Sequence, residues 1–378
     1  MIYLDNAATT YPKPEDVYKA VDFANRNLAF NAGRGKYKAA HASFSMIEDT
    51  RLKLARLINA DPENVVFSSS ATESLNQIIY GIDFSEGDNV YISPFEHNSI
   101  IRPLYELKKK INIEIRILPF DKGTWEPDLT QIANLFSLYK PKAIFLSHIS
   151  NVTGYILPYK EIFDLGTKFG SINVLDCAQS YGVLNPTNSK GIVDYVVFDG
   201  HKSLYATFGI AGFICLDNKI SLNTWISGGT GSDSLNHYMT GDHYSKFEAG
   251  SQNSVAIAGL NKSLDWLHNN DISKKLQELT EYLIENLKKL PNIKIYLPSN
   301  PNKIFGIVSL NVNNYNCNDV GTILNDEFEI CVRTGYHCAP FVHEFLNTKE
   351  CLGTVRISMG FFNTKNDLDA LINALKTF

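Results

Sequence analysis

Apolar positions along the chain follow two regimes of spacing. From about Asn64 to Leu216, short apolar and β-branched runs stand at 65–67, 89–92, 113–116, 143–146, 172–175, 195–198 and 212–215. Between most of them, apolar residues recur every three or four positions, as at 73–80, 100–109 and 159–169. Short continuous runs read as buried strands, and the wider spacing reads as amphipathic helix. Strand–helix alternation predicts an α/β unit built on a mainly parallel seven-stranded sheet covered on both faces.

After Gly250 the pattern changes. Helical spacing extends over 253–268 and 271–290, where Pro291-Asn292 ends it. Strand-like runs follow at 293–296, 306–311 and 353–358, then a final amphipathic helix from about Lys365. These elements predict a smaller α+β C-terminal domain. The division expected is 13–258 for the large domain, with 1–12 and 259–378 forming the small one. Helical patterns at 14–29 and 42–58 fit against either.

Composition narrows the class. A chain of 378 residues with 44% hydrophobic positions, including 22 Phe, 19 Tyr and 3 Trp, buries a large core without metal or disulfide staples. The net charge of −5 carries no electrostatic footprint for nucleic acid. The one basic run, Lys108-Lys109-Lys110, reads as a helix terminus complementing the helix dipole. No apolar stretch reaches the ~20 residues that span a bilayer. The segment Met1–Asn6 lacks the basic and apolar parts of a signal peptide. A cytoplasmic protein with no membrane partner is the expectation. Six cysteines without a C-x-x-C pair exclude a disulfide framework and a Cys-rich zinc site. Most are expected to be small buried hydrophobes.

In a parallel α/β sheet, ligands bind outside the carboxyl ends of the strands. Three such ends carry chemistry. Ser68–Ser74 leads from a strand into a helix, a setting that caps the helix or receives a phosphate on free N–H groups. Asp176 ends the run 172–175 and either caps the next turn or pairs with a buried cation. Lys202, in Asp199-Gly200-His201-Lys202, is either a surface charge or an amine able to condense with an aldehyde. A phosphate cup, an acid for a ring nitrogen and an amine for an aldehyde together suit one ligand, pyridoxal 5′-phosphate. Cys338 lies in a turn-like segment with Arg333 and His337, and cationic neighbours favour the nucleophilic thiolate.

With these residues in view, the sequence resembles the class V aminotransferase superfamily, in its cysteine desulfurase and selenocysteine lyase branch. The resemblance runs through Tyr3–Thr10, Ala71–Ser74, Glu96–Ser99, Ser150–Gly154, Asp176–Gln179, Gly200–Lys202, Phe247–Gly250 and Val355–Ser358. The loop Arg333-Thr334-Gly335-Tyr336-His337-Cys338-Ala339 looks like that of the group II desulfurases. The resemblance implies the pyridoxal-phosphate fold type I and a homodimer. It implies that Lys202 holds the cofactor and moves protons, Asp176 pairs with the ring nitrogen, His97 stacks on the ring and Gln179 bonds its hydroxyl. Ala71, Thr72 and His201 would bind phosphate, with Ser251 reaching it from the partner subunit. Asn151, which also borders the cofactor, would orient the substrate carboxylate with Arg333 and Arg356.

Four places depart from the pattern. Asp199 stands where Ser or Thr is usual, Ala206-Thr207-Phe208 replaces a Gly-Pro turn, Ser251-Gln252 replaces Thr-Pro, and Lys246 replaces Arg. A carboxylate at 199 would repel phosphate unless it turns away or is protonated.

The implied reaction converts L-cysteine to L-alanine and leaves sulfur on Cys338 as a persulfide, for delivery to a sulfur-acceptor protein. The same residues also suit L-selenocysteine as substrate, or another transamination or β-elimination. A scaffold with no catalysis is the reading from a different class.

Overall fold

The computed structural model describes residues 1–32, 35–186, 190–216, 222–231, 234–239 and 243–378. In chain order the elements begin with β1 (Ile2–Tyr3), α1 (Glu15–Asn27), α2 (Lys38–Arg56), β2 (Val65–Ser68), α3 (Ala71–Gly81), β3 (Asn89–Ile92) and α4 (Asn98–Ile111). Next come β4 (Glu114–Ile117), α5 (Leu129–Leu138), β5 (Pro141–Ser147), α6 (Tyr159–Lys168), β6 (Ile172–Asp176), β7 (Tyr195–Asp199) and β8 (Ala211–Cys215). The remainder is α7 (Ser254–His268), α8 (Ile272–Leu287), β9 (Ile293–Ile295), β10 (Ile307–Val312), α9 (Cys317–Phe328), β11 (Ile330–Cys331), β12 (Arg333–Gly335), α10 (Pro340–Phe345), β13 (Thr354–Ser358) and α11 (Lys365–Leu375).

The seven expected strands form one sheet in the order β2-β8-β7-β6-β5-β3-β4. Only β8 runs against its neighbours β2 and β7; the other pairs are parallel. Burial alternates with a period of two. Ile144, Leu146, Leu175, Val196 and Phe198 enter the core on one face, while Ala143, Phe145, Val174, Tyr195 and Val197 enter the core on the other. Both faces are dry, which is why these strands read as unbroken apolar runs. Helices α3 and α4 supply Leu75, Ile78, Ile100 and Leu104 to one side, and α2, α6 and α7 supply Leu54, Ile162, Phe163 and Leu260 to the other.

The C-terminal strands make an antiparallel sheet, β12-β13-β10-β9. A two-stranded parallel ribbon joins β1 to β11, with Ile2 opposite Ile330. The first residues of the chain are therefore stitched to the C-terminal part. Gly154, at φ +74°, lets the turn after β5 press against β10, where an added Cβ would stand 2.3 Å from the Ile307 carbonyl oxygen.

The helical patterns near the N-terminus become α1 and α2, and both pack on α7. Asn261 of α7 donates to Asp49 at 2.8 Å, and Lys53 pairs with Asp265 at 2.6 Å. The basic run 108–110 is the last turn of α4, closed by Asn112 in the left-handed conformation. One expectation is corrected. Only Cys177 and Cys317 are buried; Cys215, Cys331 and Cys351 are half-buried and Cys338 is exposed. Cys215 and Cys331 close their strands and Cys351 lies in a loop, so packing covers only part of each.

Candidate active site

Because β2, β3, β5, β6 and β7 point the same way, their carboxyl ends share one edge of the sheet. A cleft opens there. It is lined by Ala7 and Ala8, by Ala71 and Thr72 at the start of α3, and by His97 and Ser99 at the start of α4. Asn151, Asp176, Gln179, Asp199 and Lys202 follow the strand ends, and Arg333 and Arg356 close the wall from the C-terminal sheet. Nine of the twelve residues singled out from sequence thus line this cleft; His201 and Cys338 touch residues that line it, through contacts given below, and Ser251 does not.

Asp176 is buried, and its Oδ1 accepts the Ala178 N–H at 2.9 Å. It caps the turn and faces the cleft at once. Burial pushes its carboxyl above the ordinary value, with the Ala178 N–H and Lys202 opposing. Lys202 Nζ lies 3.4 Å from Asp199 Oδ2, and His201 Nε2 lies 3.4 Å from Asp199 Oδ1. Gly200 is required in this turn, since a Cβ would stand 2.5 Å from the Ile210 carbonyl oxygen. Gln179 donates to the Ala7 carbonyl at 2.8 Å and so holds the N-terminal segment over the cleft.

His97 is the N-cap of α4. The Ser99 N–H donates to its Nδ1 at 3.1 Å, which leaves the ring proton on Nε2. Burial, with Lys202 and Arg333 nearby, brings His97 down to about 3. The imidazole is a neutral flat surface at any working pH. At the start of α3, Ser70 caps the helix through the Glu73 N–H at 3.2 Å, so the ordinary capping reading holds for that residue. Ala71 and Thr72 follow it at the cleft.

Cys338 is exposed at the mouth of the cleft, yet its backbone is fixed on both sides. The Asn98 N–H donates to the Cys338 carbonyl at 2.7 Å, and Asn151 Nδ2 donates to the His337 carbonyl at 2.8 Å. His337 is buried with Nε2 3.0 Å from the Thr354 carbonyl oxygen. His337 and Cys338 both take the left-handed conformation, at φ +46° and +58°, which side chains disfavour without such anchoring. Arg333 Nη2 donates to Cys338 Sγ at 3.5 Å, so the thiol and the cleft share a guanidinium.

Arg333 and Arg356 are direct partners in the β12–β13 register. Two cations side by side repel unless an anion lies between or beside them. Asp5 answers for Arg356 at 2.6 Å, and the Asn151 carbonyl accepts from the same guanidinium at 2.9 Å. Arg356 Nε makes no hydrogen bond, and neither do the buried Asn151 Oδ1, His201 Nδ1 and Asp199 Oδ1, the last keeping only its 3.4 Å ion-pair contact with His201. Native interiors leave few such atoms unpaired, and four around one cleft mark the place of a polar ligand. An acid at a strand end, an amine, a neutral aromatic ring and a helix start fit pyridoxal 5′-phosphate; the carboxylate of Asp199 is the one group that fits it poorly.

Ser251 lies elsewhere in its own chain. It lines a separate cavity with Ser68, Ser69 and Glu73, next to Glu248, whose carboxylate is gripped by the buried Arg51. Among the described residues there is no cluster able to hold a metal and no helix long and apolar enough to cross a membrane.

Sequence reading missed Asp5, Lys13 and Glu96, which do not line the cleft but pair with or face residues that do. Lys13 is buried, donates to Thr10 Oγ1 at 2.6 Å and to the His201 carbonyl at 2.8 Å, and is brought down to about 7 by burial. Its Tyr-Pro-Lys-Pro setting gave no signal beyond a charge among prolines. Glu96 is fully buried and accepts Ser147 N–H at 3.0 Å and Ser147 Oγ at 2.7 Å. Burial lifts it to about 7 despite these bonds. Its folded value exceeds its unfolded one, so the stability it contributes is full below about pH 4.5 and is lost as pH rises to about 7. Glu96→Gln is expected to remove that loss, worth on the order of 3 kcal/mol. Urea midpoints at pH 5 and pH 8 check this, and an unchanged pH dependence in the variant refutes it.

The whole chain has relatives. The family model described as Aminotransferase class-V matches residues 2–371. A probable cysteine desulfurase of Methanothermobacter thermautotrophicus is 31% identical over 99% of this chain and 94% of its own length. A cysteine desulfurase of Escherichia coli O7:K1 is 30% identical over 100% of this chain and 93% of its own length. Among solved structures, the apo cysteine desulfurase from Thermococcus onnurineus NA1 superposes with a TM-score of 0.92 at 28% identity, covering 100% of this chain and 94% of that one. The cysteine desulfurase CsdA (S-sulfonic acid) from Escherichia coli gives 0.86 at 27% identity, covering 99% and 94%. The expected fold class, pyridoxal-phosphate fold type I, is borne out.

Proposed function

This chain belongs to the class-V aminotransferase family, and from that premise we propose that it is a cysteine desulfurase, dependent on pyridoxal 5′-phosphate, that turns L-cysteine into L-alanine. The observation that carries the reading is the guanidinium of Arg333, which lines the cleft of Lys202 and Asp176 and also donates to Cys338 Sγ. In this reading the thiol and the amine serve one ligand.

Bound in this cleft, pyridoxal 5′-phosphate supplies an aldehyde for an amine and a ring that accepts the electron pair left when a Cα proton departs. Asp176 would pair with the ring nitrogen as a buried acid, and His97 would offer its neutral face to the ring. Gln179 would bond the ring hydroxyl, and Ala71, Thr72 and His201 would receive the phosphate. Arg333 and Arg356 bind the substrate carboxylate, which relieves their mutual repulsion; Asn151 holds both the loop of Cys338 and, through its carbonyl, Arg356. A bidentate fork fixes the direction of Cα.

Lys202 removes the Cα proton. The Cys338 thiolate attacks the substrate sulfur: its Sγ–S bond forms as the S–Cβ bond breaks, and the electron pair stays with the three-carbon fragment. Protonation of that fragment gives alanine. In sum, cysteine and the Cys338 thiol become alanine and a Cys338 persulfide, with no external oxidant. A sulfur-acceptor protein then takes the sulfur from the exposed residue, in a cytoplasm that keeps the thiol reduced. The protein acts as a homodimer with residues 1–12 and 259–378 as the small domain and 13–258 as the large one; Ser251 reaches the partner's phosphate site.

Incubation with L-cysteine, followed by intact mass and peptide mapping, tests this reading. A gain of one sulfur atom on Cys338, with stoichiometric alanine, is expected. Pyruvate and ammonia with no adduct point to β-elimination instead, and a keto acid points to transamination.

A further inference from the structure

Asp199 is a carboxylate at the wrong end of the cleft for an anionic ligand. In the sheet register it stands opposite Ala211 of β8, and Ala211 stands opposite Ser68 of β2. Ser68 leads into the start of α3, whose first N–H groups form the anion-receiving end of the cleft. The Asp199 side chain is 5% exposed and lines the same cleft. It has not turned away. Its Oδ1 accepts no hydrogen bond, although His201 Nε2 is 3.4 Å distant.

The charges facing Asp199 come from three directions. His201 and Lys202 follow it in the same loop, Lys13 reaches in from the segment before α1, and Asp176 faces it from β6. From β8 it meets only Ala211. Lys13 spends its hydrogen bonds on Thr10 and the His201 carbonyl, not on the carboxylate. Burial raises the Asp199 carboxyl, but Lys202 and His201 outweigh it and hold the group below its ordinary value, so it is ionised before any phosphate arrives.

A phosphate ester is close to a dianion above neutral pH, its second pKa being about 6. Two anions crowded into one buried site do not both stay fully ionised. We propose that Asp199 couples retention of pyridoxal 5′-phosphate to uptake of a proton, shared among the phosphate, Asp199 and His201, so that the chain loses its grip on the phosphorylated cofactor as pH rises while its grip on pyridoxal is spared. The inference rests on the cofactor assignment made above and adds a specificity-determining role for Asp199 within it.

The sign follows from linkage. A complex that binds one proton more than its free components weakens by up to about tenfold per pH unit. The test compares pyridoxal 5′-phosphate with pyridoxal on the cofactor-stripped full chain, read by visible absorbance and by calorimetry, at pH 6.5 and 8.5. In the wild type, the affinity ratio of phosphorylated to dephosphorylated cofactor is expected to fall about tenfold or more across this range. In Asp199→Asn and Asp199→Ser it is expected to fall less than half as far, and at pH 8.5 both variants hold the phosphorylated form at least about tenfold better relative to pyridoxal. Calorimetry of the wild type in two buffers of different ionisation heat is expected to show proton uptake at pH 8.5, a readout that needs no variant. Ratios within twofold of wild type in both variants, or no proton uptake, overturn the proposal while leaving the cofactor assignment intact. Absence of any bound absorbance with either form overturns both.

Discussion

Lys202→Ala is expected to lose alanine formation from L-cysteine by at least about 10³-fold, since one positioned acid–base group contributes about 10²–10⁴ and this residue also tethers the cofactor. Lys202 is the one lysine among the described residues that line the cleft. Lys13 does not line the cleft and spends its bonds on Thr10 and the His201 carbonyl. The fold should tolerate the change. The Lys202 side chain is 18% exposed, and its ion pair is with Asp199, which keeps His201 nearby. Alanine quantified over time, beside a thermal melt of the variant, decides the matter. Activity within tenfold of wild type in a folded variant would remove Lys202 from the chemistry.

The second large effect is at Cys338. Cys338→Ser is expected to abolish the sulfur adduct entirely and to slow alanine formation from cysteine by about 10²-fold or more, because serine keeps the shape but is a far weaker nucleophile near neutral pH. Folding is not at stake. The residue is exposed, and the bonds that fix it run through its backbone carbonyl to Asn98 and through the His337 carbonyl to Asn151. The same variant sorts substrates. Selenolate departs more readily than thiolate, so a selenocysteine-specific enzyme would lose little in Cys338→Ser while cysteine turnover collapses. Unimpaired alanine formation from cysteine would falsify the nucleophile assignment.

Much of this architecture could be read from spacing. All seven strands of the large sheet were legible, most of them as apolar runs because burial on both faces removes polar alternation; the edge strand β4, Glu-Ile-Arg-Ile, alternates instead. The antiparallel direction of β8 could not be read, since Ala211–Cys215 is as apolar as its parallel neighbours and pairing direction has no periodicity of its own. Asp176 and Lys202 were legible because they sit at or just after strand ends, where a parallel sheet gathers them; Arg333 and Arg356, inside strands of the antiparallel sheet, took their carboxylate-binding role from the resemblance alone. Asp5, Lys13 and Glu96 were not legible. The partner of Asp5 is Arg356, 351 residues away in sequence. The burial of Lys13 depends on contacts with the loop of His201. Glu96 became an isolated buried acid only when Ser147 closed over it. Such long-range pairings leave no local trace in composition or spacing.

Stitching β1 to β11 has a consequence for biosynthesis. Synthesis runs from residue 1 onward, so Ile2 and Tyr3 leave the ribosome more than three hundred residues ahead of Ile330 and Cys331. The first strand must wait unpaired while the whole seven-stranded sheet is translated and packs. Asp5 waits equally long for its arginine. A nascent chain halted before residue 330 would already carry Lys202 and Asp176, yet lack the arginine wall. The pair of guanidinium groups proposed to take the substrate carboxylate is therefore completed only near the end of translation.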